Sequence, residues 1–260
     1  MAVTFPCIAR ITCQARNHFQ LRGRFPVKAI MDSSTAGWIG ILLQGAVTTL
    51  QISFGGFVVG LLIGLAVAVA KLTGGPVLAS AARTYTTVCR AIPELLLILL
   101  LYYAGADAIN LVVVALGGKP IEVNAFAAAI AVLGIVQGAY ASEVIRASIL
   151  AIPSGQIEAA KAFGIGRGRM FRRIILPVML PNALAGISNL WAGVLKESAL
   201  ISVVGYGELL QAGKQAAGST NQHMKYYLAT AAVYLAITLI SDVVFRRLER
   251  RSSRWMPSVT

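Results

Sequence analysis

Apolar residues fill long continuous blocks of this chain, and short polar connections separate the blocks. The first block, residues 38–70, is long enough to cross a hydrocarbon core of about 30 Å with tilt. Lys71, Gly74, Gly75 and Pro76 close it. A second block covers residues 87–104 and is entered through Arg83 and Arg90. Pro93 is tolerated near its start because the first amides of a helix lack internal partners. Residues 106–123 read as a polar, glycine-containing connection carrying Asp107, Lys119 and Glu122. A third block, 124–149, is alanine-rich; a fourth spans 182–204, and residues 205–225 read as a polar connection. The last block, 226–244, stops at Arg246, Arg247, Arg250 and Arg251. The pattern predicts an all-α, polytopic membrane protein of about five transmembrane helices over residues 38–251, with 252–260 as a C-terminal tail.

One long polar, basic interruption breaks this pattern, the run from Pro153 to Pro177. Its first half predicts a helix over 156–163, with Ser154 as N-cap and Glu158 in the first turn, where a carboxylate complements the helix dipole. Gly164 ends it, since glycine takes the left-handed conformation without a Cβ penalty. The second half, 167–176, sets Met170, Phe171, Ile174 and Ile175 at helical spacing beside Arg169, Arg172 and Arg173, and should stop at Pro177. Two short amphipathic helices lying at a membrane surface are expected.

Within the blocks, Gly56, Gly60 and Gly64 recur on one face, as do Gly134 and Gly138. Small residues so spaced let helices approach closely where no hydrophobic force drives them together. Glu94 is costly against lipid and should face protein or water. Gln137, Tyr140 and Glu143 follow at steps of three and share a face. Two readings stay open: Glu143 forms an ion pair with Arg146, or Gln137, Tyr140 and Glu143 line a path across the membrane. Lys196 and Glu197 are adjacent, about 100° apart around a helix, so they point in different directions.

A composition of 57% hydrophobic and 13% charged residues excludes a soluble domain. The net charge of +13 sits in connections and tails, which fits the positive-inside rule better than a nucleic-acid face. With five spans, it places the N-terminus outside and the C-terminus inside. Before Met31 stand Arg10, Arg16, Arg22, Arg24 and Lys28 with no acid. That stretch reads as part of an N-terminal extension, 1–37, either disordered or preceding the true start at Met31. Cys7, Cys13 and Cys89 suggest neither a disulfide framework nor zinc, and His18 and His223 suggest no metal site. The segment from Gly207 to Lys214 misses the spacing of a phosphate loop, and Gly164, Gly166 and Gly168 lack the strand that a dinucleotide motif needs. No nucleophile, base and orienting group can be assembled, which argues against an enzyme.

Glu158, Ala159, Ala160, Gly164, Ile174, Leu176 and Pro177 together resemble the EAA loop of the permease subunits of ABC importers. RAIPELLLILLLYYAG and LKESALISVVGYGELL are similar to segments of the polar amino acid branch of that family, which includes histidine, lysine, arginine and opine importers. Ala91 stands where the branch usually has glycine. The resemblance implies a type I ABC importer permease-like fold in a bacterial inner membrane. It also implies a cytoplasmic loop that docks on a partner ATPase, which holds ATP and Mg, with no cofactor on this chain. A second permease subunit, identical or different, and a periplasmic solute-binding protein complete the implied assembly. The implied cargo is a polar, basic amino acid or an opine. Candidates for the path are Glu94, Gln137, Tyr140, Glu143, Lys196, Glu197 and Ser198, the last three reading more as gate or packing machinery. The alternative is a self-contained secondary transporter whose basic loop binds lipid. Against it stand the complete loop spacing and the lack of an internal repeat.

Overall fold

A computed structural model describes residues 35–253. The expected extension before Met31 and the tail beyond 253 lie outside the described residues. The helices are α1 (Thr35–Thr73), α2 (Pro76–Ala91), α3 (Glu94–Ala115), α4 (Ala125–Leu150), α5 (Ser154–Ala162), α6 (Arg167–Met170), α7 (Leu176–Ser198), α8 (Leu209–Thr220) and α9 (His223–Ser253). A π turn, Phe171–Ile175, joins α6 to α7, and a 3₁₀ turn, Ala199–Val204, follows α7. Among the described residues, five spans are long and apolar enough to cross a membrane: Gly37–Thr73, Glu94–Ala115, Ala125–Leu150, Gly168–Val204 and His223–Arg251.

The bundle is built on α1 and α4, which lie together with almost no side-chain layer between them. A Cβ added at Gly56 would lie 2.9 Å from Leu133 Cβ, one at Gly60 2.9 Å from Gln137 Cβ, and one at Gly64 2.5 Å from Ala141 Cβ. From the other side, a Cβ at Gly134 would meet Val59 and one at Gly138 would meet Ile63. Partners on both helices rise in number together, so the two helices run parallel. Parallel neighbours need a return crossing between them, and α2 with α3 supplies it in two pieces. Ile92 is extended (φ −85°, ψ 138°) because a residue before proline is kept out of the helical region, and α3 starts afresh at Glu94. Asn124 then caps α4, its side chain accepting from the Phe126 amide at 2.9 Å.

Buried apolar residues gather in three clusters. Ile52, Ile98, Leu133, Val136 and Ile201 fill the space between α1, α3, α4 and the 3₁₀ turn after α7. Trp38, Ile41, Leu209, Ala212 and Tyr226 pin α8 and α9 to the start of α1. Ala68, Ile145, Ile152, Met179 and Ala183 close the opposite end, beneath α5.

Several boundaries differ from the sequence reading. The second crossing is not 87–104: α3 continues to Ala115 through Gly105, Asp107 and Asn110, because the apolar run 111–115 extends the helix past a few polar positions. Ser154 is the first residue of α5 and Pro153 occupies the cap position, with no side-chain cap bond. The helix does not stop at Pro177. The π turn carries the chain into α7, the Leu176 amide reaching back five residues to the Phe171 carbonyl, and Pro177 enters at the second position of α7. The 205–225 connection contains α8, capped by the Glu208 side chain.

Candidate functional site

The loop after α4 is locked by backbone geometry. Gly164 takes φ +66°, and the amides of Gly164 and Ile165 bond the carbonyls of Lys161 (2.9 Å) and Ala160 (3.1 Å), a Schellman termination of α5. Only glycine fits that conformation without strain. One face of α5 is anchored: Ala160 is 3% exposed, and Ile157 packs on the Ile152–Met179 cluster. The other face is presented outward. Glu158 and Ala159 are exposed, and Phe163 is 85% exposed, an unusual position for a large aromatic. Ile174 lies half-buried in the π turn, while Leu176 and Pro177 are exposed at the start of α7.

The second assembly lies where α3, α4 and α7 converge. Gln137 is buried, and its Nε2 donates to Glu197 Oε2 at 2.6 Å. Gly60 makes this possible by letting α4 press its Gln137 turn against α1. Gly193 leaves room beside the pair: a Cβ there would lie 3.7 Å from Glu197 Oε1 and 3.8 Å from Gln137 Nε2. Gln137 Oε1 is buried and accepts no hydrogen bond from the described residues. Tyr140, one turn along, donates its hydroxyl to Glu94 Oε1 at 3.2 Å, and the Arg90 guanidinium sits 5.9 Å from its ring centroid. Glu94, Gln137, Tyr140 and Glu197 thus come together. The other path candidates do not join them. Glu143 is held at 2.6 Å by Lys71 Nζ and at 3.0 Å by Arg146, so the ion-pair reading of Glu143 describes its geometry and Lys71 is an added partner. Lys196 is exposed while its neighbour Glu197 is buried, and Ser198 bonds its own helix at the Leu195 carbonyl.

Residues 56–254 match the family described as binding-protein-dependent transport system inner membrane component. The chain belongs to this family. It is 41% identical over 226 residues to the octopine transport system permease protein of Rhizobium radiobacter, covering 86% of this chain and 95% of the relative. It is 40% identical over 217 residues to the histidine/lysine/arginine/ornithine transport system permease protein of Salmonella typhimurium, covering 84% and 95%. Among solved structures, the crystal structure of an amino acid ABC transporter with histidines superposes with a TM-score of 0.71 at 30% identity, over 83% of this chain and 96% of that one.

In this inner membrane component, three polar residues stand out that the sequence did not mark as site residues. Arg90 reads as one more positive charge in a basic connection, yet the break at Ile92 and Pro93 sets it against Tyr140 in the polar cluster. Lys71 reads as a stop signal, yet it is 5% exposed and reaches both Glu143 and Thr86. Glu208 lies in an apparently polar connection, yet it is fully buried. The order Gly205, Tyr206, Gly207, Glu208 before a run of helix formers was the available signal for a capped helix there.

Proposed function

We propose that this permease forms part of the membrane path of an ATP-driven importer for basic amino acids or opines, and that its α5 loop is the contact with the motor. The observation that carries the reading is the two-sided character of α5: Ala160 is buried and Ile157 packs on the cluster that includes Ile152 and Met179, while Glu158, Ala159 and Phe163 project from the bundle, uncovered among the described residues. A rigid, outward-facing ridge at the end of a long helix suits a partner that pushes on it. ATP and Mg reside on a partner ATPase and this chain binds no cofactor of its own. A second permease and a soluble binding protein complete the assembly, which sits in a bacterial inner membrane with the N-terminus periplasmic and the C-terminus cytoplasmic. The octopine and histidine/lysine/arginine/ornithine relatives support the cargo class. So does the chemistry of the cluster, because Glu94 and Glu197 offer two carboxylates to a cationic group without an ion-pair partner among the described residues.

The test is retention of the motor. The chain is co-expressed with the ATPase and partner permease from the same source, and the tagged permease is purified from detergent. Wild type should carry the ATPase with it, and Glu158→Lys should lose it while eluting as the same monodisperse species. A folded wild type that never retains an ATPase but moves solute alone in liposomes would refute the proposal.

A further inference from the structure

An acidic cluster answers only one end of an amino acid. Every amino acid and every opine also carries a carboxylate, which two glutamates repel. A path that accepts these molecules therefore needs a fixed positive donor within reach of Glu94 and Glu197. Lys196 cannot serve, because it lies on the exposed side of α7, about 100° from Glu197.

Arg90 meets the requirement. It closes the last turn of α2 immediately before the Ile92–Pro93 break, four residues from Glu94, and its guanidinium rests on the Tyr140 ring whose hydroxyl holds Glu94. Among the described residues it has no carboxylate partner, so its donors stay available. Beside it lies a cavity of about 320 Å³ lined by Thr86, Thr87, Arg90, Ala91 and Glu143. Glu143 does not make this cavity anionic, since Lys71 and Arg146 both pair with it and leave the trio net positive. The Thr86 hydroxyl is already engaged by Lys71 at 2.7 Å, whereas Thr87 is exposed toward the cavity. A planar guanidinium matches a carboxylate with two parallel bonds, a geometry that lysine cannot reproduce.

We propose that Arg90, with the Thr87 hydroxyl beside it, binds the carboxylate of the transported molecule in this cavity while its cationic groups face Glu94 and Glu197. The inference rests on the basic-substrate reading above and adds to it the group that orients the substrate. The unpaired charges of the cluster, two negative and one positive, then mirror those of a basic amino acid.

The complex of permeases and ATPase, purified without binding protein, is titrated with radiolabelled L-arginine and with agmatine, which is arginine lacking its carboxylate. Wild type should bind arginine about tenfold or more tightly than agmatine. Arg90→Gln should weaken arginine by about that factor without weakening agmatine, from which it removes a like charge, erasing the preference for arginine, and Arg90→Lys should fall between. Thr87→Val, which touches no charge, should weaken arginine alone and serves if Arg90→Gln does not assemble. The proposal is overturned if wild type binds the two ligands equally, or if a variant that binds agmatine keeps the wild-type preference for arginine. Failure of wild type to bind either ligand with its ATPase attached instead strikes the basic-substrate reading, and the role of Arg90 falls with it.

Discussion

Glu208 shows how much a single side chain can hold in a bundle with few polar contacts. It accepts from Thr49 Oγ1 at 3.0 Å, from the Tyr234 hydroxyl at 2.6 Å, and from the amides of Leu210 and Gln211 at 2.8 and 3.1 Å. It therefore caps α8 and ties it to α1 and α9 at once. Truncation leaves those donors buried without an acceptor, so Glu208→Ala should cost about 3 kcal/mol. Glu208→Gln keeps one acceptor oxygen and should cost less. Burial raises the Glu208 carboxyl above its ordinary value of 4.5, outweighing the donors that pull it down. The folded protein then holds this proton more tightly than the unfolded chain. Its contribution to stability is present in full below 4.5 and is lost as pH rises through the raised native value. Melting temperatures of the purified protein across that range should fall with pH for wild type and flatten for Glu208→Gln; parallel curves would refute the account.

At the scale of helices, the glycines decide which neighbours can touch. Gly64 and Gly40 both lie in α1, but a Cβ at Gly64 would meet the Ala141 side chain at 2.5 Å and the Ser142 amide nitrogen at 2.9 Å, whereas nothing lies within 4 Å of one at Gly40. Alanine brings the same gain in helix propensity at both sites, so their difference isolates the cost of spreading the helices. Gly64→Ala should be about 1–3 kcal/mol less stable than Gly40→Ala, read as the gap between melting temperatures, and equal temperatures would remove the close-approach argument. This contact was legible because a four-residue glycine repeat in an apolar block has a packing meaning whatever its partner, though the partner itself was not. The number of crossings was legible for a similar reason, since block length and hydropathy fix it. What escaped the sequence were features set by tertiary contact. Pro177 reads as a stop, but a widened turn ahead of it absorbs its missing amide. Residues 209–220 read as a loop because half of α8 is small or polar, yet Ala212, Gly213, Ala216 and Ala217 bury its inner face against α1 and α9. Gln137, Tyr140 and Glu143 share a face as their spacing requires, but three different helices answer them, at Glu197, Glu94 and Lys71.

For the whole molecule, pairwise registers fix the direction of travel. α1 and α4 are parallel by their glycine contacts. α9 is parallel to α1, since Tyr226 meets Trp38 and Phe245 meets Phe57. α7 is antiparallel to α4, since Val144 packs at Gly186 and Gln137 bonds Glu197. With the return through α2 and α3, the two ends of the described chain fall on opposite sides, and the connection before α4 lies opposite α5. The exposure is just as uneven: in the apolar stretch of each span 56% of α4 is buried but only 11% of α3 and 6% of α9, so the outer helices must meet lipid or another subunit. The proposed orientation puts Arg169, Arg172, Arg173, Arg246 and Arg247, which crowd the side that carries α5 and the end of α9, in the cytoplasm, as the positive-inside rule requires. Two sites separate the alternatives. Lys119 precedes α4 and Phe163 follows α5, so the 26 residues of α4, about 39 Å of helix, lie between them in the chain. In a background with Cys7, Cys13 and Cys89 changed to serine, Lys119→Cys should react with a membrane-impermeant thiol reagent added outside the inner membrane. Phe163→Cys should react only after lysis. Reversed labelling would invert the topology and move the α5 ridge away from any cytoplasmic ATPase; labelling of both sites from outside would mean that α4 does not cross.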